Sequence, residues 1–208
     1  MKIENIAPMD IEKRSMEIIS ETLGDKKLDP RYQDIIKRCI HTSADFEYAD
    51  SLYFTDGVEK IIRKAIAEGA YIVTDTTMAQ SGINKKRIHE YGGKVLCFIG
   101  DEDVAKEAKE RGVTRSLVSM ERASELDKPV IFAIGNAPTA LLSIESLVKA
   151  GKLTPVAVVA VPVGFVNVVE SKERIIDLRV PAIVARGRKG GSNIAAAIIN
   201  ALQYGIEK

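Results

Sequence analysis

Five short apolar runs punctuate the chain after residue 70: YIVT at 71–74, KVLCFI at 94–99, PVIFAI at 129–134, VAVVAV at 156–161 and AIVA at 182–185. Runs such as 156–161 are continuously apolar, without the two-residue alternation of a strand that faces water on one side, so both faces must be covered. The segments between them carry helical patterns. Val58, Ile61, Ile62, Ala65 and Ile66 form one stripe, preceded by Asp56 and Glu59 in capping-box spacing and closed by Gly69. Asn167 and Glu170 repeat that capping signature. Upstream, Ile11, Ser15, Ile18 and Ile19, then Ile35, Ile36, Cys39 and Ile40, predict helices over 10–23 and 30–40. Strands separated by helices specify an open, doubly wound α/β domain, with a mainly parallel sheet of about five strands and helices on both faces. We read residues 1–208 as one domain, with a helical part over 1–50 and a sheet core over 70–204.

Composition narrows the partners. Hydrophobic residues make up 46% of the 208, enough for one substantial core. The 30 Lys and Arg balance 29 Asp and Glu, so the chain as a whole has little attraction for nucleic acid or an anionic membrane, and any anion binding must be local. Cys39 and Cys97 are too few and too far apart for a C-x-x-C site and read as buried free thiols. Glu4 and Asp10 interrupt the stretch where a signal peptide would be apolar, and no run reaches membrane-spanning length, so the expected location is the cytoplasm.

Candidate chemistry begins with KRCIHTSADF at 37–46, which sets His41 among Arg38, Thr42, Ser43 and Asp45. An imidazole exchanges a proton near neutral pH, and neighbouring hydroxyls and a carboxylate would orient it or a ligand. A histidine ending an amphipathic helix also describes a plain surface residue, so these ten residues leave catalysis open. In doubly wound folds ligands collect beyond the carboxyl ends of the strands. The loops there are TDTTMAQSGI at 74–83, GNAPTAL at 135–141, PVGFVN at 162–167 and RGRKGGSN at 186–193. Asp75 either binds a ligand or caps the following turn. Asn136 and Thr139 either face a ligand or, with Pro138, start a helix. Gly187, Gly190 and Gly191 allow close backbone approach, Ser192 or Asn193 offers a helix cap, and Arg186, Arg188 and Lys189 add positive charge. His89, late in KKRIHEYGG, reads as a surface residue.

Taken together, RCIHTSADF, TDTTMAQSGI, IGNAPTAL, VPVGFVNVVESKE and GRKGGSNIAAAIINAL resemble the precorrin-8X methylmutase family, also called precorrin isomerases, with their cobalt-precorrin-8 counterparts. The resemblance spans nearly the whole chain. It implies an isomerase of vitamin B12 synthesis that moves a methyl group from C11 to C12 of the corrin ring, giving hydrogenobyrinate or cobyrinate. It places the catalytic histidine on His41. Around the substrate it places Ser15, Arg38, Thr42, Arg115, Asn136, Thr139, Lys189, Gly191 and Ser192. It implies no metal ligands and no cofactor, cobalt entering only within the substrate, and a homodimer with sites near the subunit boundary. Ser43 stands where many relatives carry threonine, which keeps the hydroxyl.

Two other readings use the same residues. A non-catalytic corrinoid carrier would need the same pocket. A phosphate- or nucleotide-binding protein would use RGRKGGSN at a strand-to-helix junction, but neither G-x-G-x-x-G nor G-x-x-x-x-G-K-[ST] occurs. A metal chelatase is disfavoured by a supply of only two histidines, His41 and His89, on separate elements.

Overall fold

The computed structural model describes residues 6–206; Glu4 lies outside them. Helices α1 (Ile11–Leu23), α2 (Gln33–Ser43) and α3 (Tyr48–Ser51) lead into strand β1 (Leu52–Phe54), and α4 (Val58–Ala67) leads into β2 (Tyr71–Thr74). Two short helices, α5 (Thr77–Gly82) and α6 (Lys85–Glu90), precede β3 (Val95–Leu96). Then follow α7 (Glu102–Arg111), α8 (Arg115–Ser124), β4 (Val130–Ile134), α9 (Pro138–Lys149), β5 (Ala157–Ala160), α10 (Val168–Asp177), β6 (Ala182–Ala185) and α11 (Ser192–Tyr204). The sheet runs β1-β6-β5-β4-β2-β3, parallel except for β1, which pairs antiparallel with β6.

Side chains alternate across the strands into two apolar layers. Ile72, Ile131, Ala133, Val159 and Ile183 pack toward α2, α4, α5, α6 and α11. Val73, Phe132, Ile134, Val158 and Val184 face α8, α9 and α10. Every residue of β4, β5 and β6 is buried, which is why these runs read as continuously apolar.

The sheet has a sixth strand, and it begins before residue 70: Tyr53 pairs with Val184, and Phe54 stacks on Tyr32 with ring centroids 4.1 Å apart. Three half-buried residues at an edge carry no apolar run to find. At the opposite edge β3 keeps only Val95 and Leu96 of the six-residue run, and Cys97 beyond it is half-buried rather than buried. Neither capping signature forms a box. Gly57 is the residue before α4, and Asp56 instead pairs with Arg31 at 2.5 Å. Asn167 enters α10 in the left-handed region, φ 58°, with no side-chain cap bond. Ile61, expected in the α4 stripe, is 39% exposed.

Candidate active site

β2 and β4 are neighbours, yet the chain leaves β2 through α5 and α6 on one face and leaves β4 through α9 on the other. This is the switch point at which doubly wound sheets open a crevice. Here the protein fills it with its own anion. Ala137, the residue before α9, has no side chain to cap the helix, and Asp75 at the end of β2 reaches across instead. Its carboxylate accepts hydrogen bonds from the backbone N–H groups of Gly135 (2.9 Å), Asn136 (2.8 Å) and Ala137 (2.6 Å). Only 1% exposed, Asp75 is a bracket for the 135–137 turn and not a contact on an open surface. Burial pushes its carboxyl upward and the three amides pull against that. Because these amides are occupied, the start of α9 has no free nest for phosphate.

The loops beside this bracket interlock. A Cβ on Gly135 would lie 2.7 Å from Cα of Ser192, and one on Gly190 would lie 2.1 Å from the Val161 carbonyl, so both turns depend on glycine for close packing. The buried Gly191 N–H donates to Val161 O at 2.9 Å. Ser192 is the first residue of α11 rather than its cap, and its hydroxyl shares a 2.7 Å hydrogen bond with that of Thr76. Thr139 accepts from the Thr114 hydroxyl at 3.2 Å, which holds the start of α8, and therefore the exposed Arg115, beside the first turn of α9. Asn136 is exposed on the same rim.

His41 stands in the last turn of α2 and is exposed, with no hydrogen bond to its ring from any described residue. Its neighbours do other work. The Ser43 hydroxyl donates to Cys39 O at 2.7 Å and accepts from the Asp45 N–H at 3.2 Å; Ala44 ends the helix at φ 56°; and Asp45 accepts from the Glu47 N–H. Ser43 and Asp45, read from the sequence as orienting either the imidazole or a ligand, here shape the turn after His41 and make no hydrogen bond to its ring. Lys189 bridges Asp45 and Glu47, 2.6 Å from each carboxylate, and so staples the end of α2 to the glycine-rich loop. These partners raise the Lys189 ammonium and hold Asp45 below the ordinary carboxyl range. Lys189 was expected to contact substrate; in this structure its charge is already matched, whereas Arg188 and Arg115 form no ion pair with any described residue.

Next to this junction a cleft of about 600 Å³ runs between α1, α2 and α11, lined by Glu12, Arg38, Thr42, Asn193, Asn200 and Tyr204 among others. Arg38 pairs with Glu12 across it at 2.7 Å. Ser15, on α1, is half-buried and donates to Ile11 O at 2.9 Å. In the loop after β5 Phe165 is 83% and Val166 78% exposed, with the Arg188 guanidinium 5.9 Å from the Phe165 ring centre. The expected residues thus fall into two groups, Arg38, Thr42 and His41 on the α2 side and Asn136, Thr139 and Arg115 on the α9 side, with Gly191, Ser192 and Lys189 between. Sequence reasoning passed over Glu47, Thr114 and Lys172. The last of these had a signal, a lysine on the apolar stripe of Val168, Ser171 and Ile175. Among the described residues no helix is long and apolar enough to cross a membrane.

The family profile described as precorrin-8X methylmutase matches residues 10–204. The chain is 44% identical over 197 residues to a cobalt-precorrin-8 methylmutase of Priestia megaterium, covering 95% of this chain and 88% of that one. It is 43% identical over 203 residues to the cobalt-precorrin-8 methylmutase of Salmonella typhimurium, covering 95% of each. A precorrin-8X methylmutase of Pseudomonas aeruginosa is 40% identical over 167 residues, 79% of this chain and 80% of that one. The fold is similar to that of precorrin-8x methyl mutase from Thermus thermophilus, with TM-score 0.85 and 34% identity over 94% of this chain and 96% of that one.

Proposed function

The chain belongs to the precorrin-8X methylmutase family, isomerases of cobalamin biosynthesis, and from that premise we propose that it moves a methyl group from C11 to C12 of precorrin-8X or cobalt-precorrin-8 with His41 as the proton donor. The products are hydrogenobyrinate or cobyrinate. No cofactor takes part, and cobalt, where present, belongs to the substrate. The observation that carries this reading is the Lys189 staple. By bridging Asp45 and Glu47 it sets the imidazole-bearing end of α2 against the loop that opens α11, so acid and anion-binding loop share one edge.

The chemistry is an internal rearrangement: the C11–methyl bond breaks, the C12–methyl bond forms, and no atom is gained or lost. It needs electron demand at C12. A proton delivered from His41 to a conjugated ring nitrogen supplies that demand and returns to the imidazole afterwards, and a well-placed general acid contributes about a hundred- to ten-thousandfold. The remainder comes from holding the methyl over its destination in a closed, dry site. Corrin precursors are broad, largely apolar discs rimmed with carboxylates. Exposed Phe165 and Val166 suit the disc, while Arg188, Arg115 and Arg38 suit the rim, Arg38 on release from Glu12.

An exposed imidazole is wet, and a second copy of the chain closing over this edge, as a homodimer, would exclude that water. The test is to incubate purified protein with precorrin-8X and with cobalt-precorrin-8 and follow the visible spectrum. Conversion of one to the rearranged product supports the reading. Binding without conversion supports a carrier, and neither binding nor conversion removes both.

A further inference from the structure

α10 presents its apolar stripe to the core, and one position of that stripe is a lysine. Lys172 is 0% exposed. A buried ammonium is tolerated only when its donors are used, and Nζ of Lys172 donates to Gly187 O at 2.9 Å and to Lys189 O at 2.8 Å. The intervening carbonyl, that of Arg188, accepts from the Gly164 N–H at 3.1 Å. Three successive carbonyls of the glycine-rich loop are therefore each held by a hydrogen bond. The next residue of α10 continues the pattern, since the Glu173 carboxylate receives two hydrogen bonds from Arg186, at 3.0 and 2.5 Å. One turn of one helix thus fixes the segment from Arg186 to Lys189.

We propose that Lys172 is a positioning residue of the anion-binding edge: its buried ammonium sets the backbone of 187–189 so that Arg188 faces the carboxylates of the substrate and Lys189 reaches Asp45 and Glu47 beside His41. Lys172 touches no reacting atom. Its effect passes through the loop, and it rests on the reading of that loop as part of the corrinoid site. A buried lysine kept only for stability would be matched by any well-packed apolar residue. A lysine whose two acceptors flank the exposed arginine makes the loop's geometry depend on its charge.

The experiment compares wild type with Lys172→Met, which keeps the length and removes the donors. Hydrogen exchange is read at the amides of Arg186 and Gly191, bonded respectively to Ser51 O at 2.8 Å and Val161 O at 2.9 Å. Cobyrinate is titrated onto wild type, K172M, R188A and the double variant. We expect faster exchange at these amides with β4 and β5 unchanged, an affinity for cobyrinate lower by about tenfold, and an added loss from R188A that is clearly smaller on K172M than on wild type, because both changes act through one guanidinium. Unchanged loop exchange in K172M overturns the proposal, as do losses that simply multiply. If K172M does not fold, Lys172→Gln, which keeps one donor group, should give intermediate exchange, and wild-type exchange there overturns the proposal equally. Should wild type bind no cobyrinate, the corrinoid reading fails while the exchange arm still decides whether Lys172 holds the loop.

Discussion

Replacing Asp75 with asparagine tests how the strand ends are assembled. The carboxylate offers two oxygens to three amides, Oδ1 to Gly135 and Oδ2 to both Asn136 and Ala137. Asparagine has one acceptor oxygen. Placed at Oδ2 it keeps the pair at Asn136 and Ala137 in weaker neutral form, and its NH2 group then faces the Gly135 N–H, donor against donor. A lost charge-assisted hydrogen bond costs about 2 kcal/mol, and the lost negative charge at the start of α9 adds about 0.5–1 kcal/mol. Relief of the buried charge, the same burial that pushes the Asp75 carboxyl upward, offsets part of this. We expect a net loss of about 2 kcal/mol, a fall in Tm of about 4–8 °C for a chain of this size. Thermal unfolding gives the size, and hydrogen exchange at residues 135–137 gives the place. If D75N melts with wild type and those amides exchange no faster, Asp75 does not bracket the turn.

Three further outcomes follow from the same geometry. Gly190→Ala puts a Cβ 2.1 Å from the Val161 carbonyl, backbone against backbone, and should cost about 3 kcal/mol in urea unfolding together with most of the turnover; a neutral substitution would mean the loop moves freely. Burial lowers the Lys172 ammonium from the ordinary 10.5 to about 8, so between those values the unfolded lysine keeps a proton that the folded one releases. Stability therefore rises with pH across that window in wild type relative to K172M, and parallel urea midpoints at pH 7.5 and 10 would contradict it. Arg115→Ala and Arg188→Ala should each weaken corrinoid binding by about three- to tenfold at low salt, with the gap from wild type narrowing at high salt; a salt-independent gap would place the guanidinium away from the carboxylates.

Much of this was legible because burial leaves a plain trace. The runs at 71–74, 129–134, 156–161 and 182–185 became strands within a residue or two of their ends, since central strands are covered on both faces. Edges were harder: β1 and β3 each have a neighbour on one side only, and their side chains are half-buried. Polar residues misled where two roles share one chemistry. Asp56 and Asn167 have capping residue types in capping spacing, yet one carboxylate found Arg31 and the other residue took a left-handed backbone. Asp75 and Lys189 stand out in the sequence as polar residues in the loops after strands, but the partners that occupy them, the 135–137 amides and the pair Asp45 and Glu47, lie some 60 and over 140 residues away, where no spacing rule reaches. Lys172 shows the converse, a core position whose polarity becomes intelligible only when the loop it holds is in view.

The central claim, an imidazole acting on a bound corrin precursor, is met most directly by His41→Ala in two measurements on one preparation. Product titration should remain close to wild type, because His41 bonds no described residue and its loss leaves the fold intact, while conversion of precorrin-8X or cobalt-precorrin-8 should fall at least a hundredfold in the visible spectrum. Conversion at the wild-type rate in that variant would contradict the account.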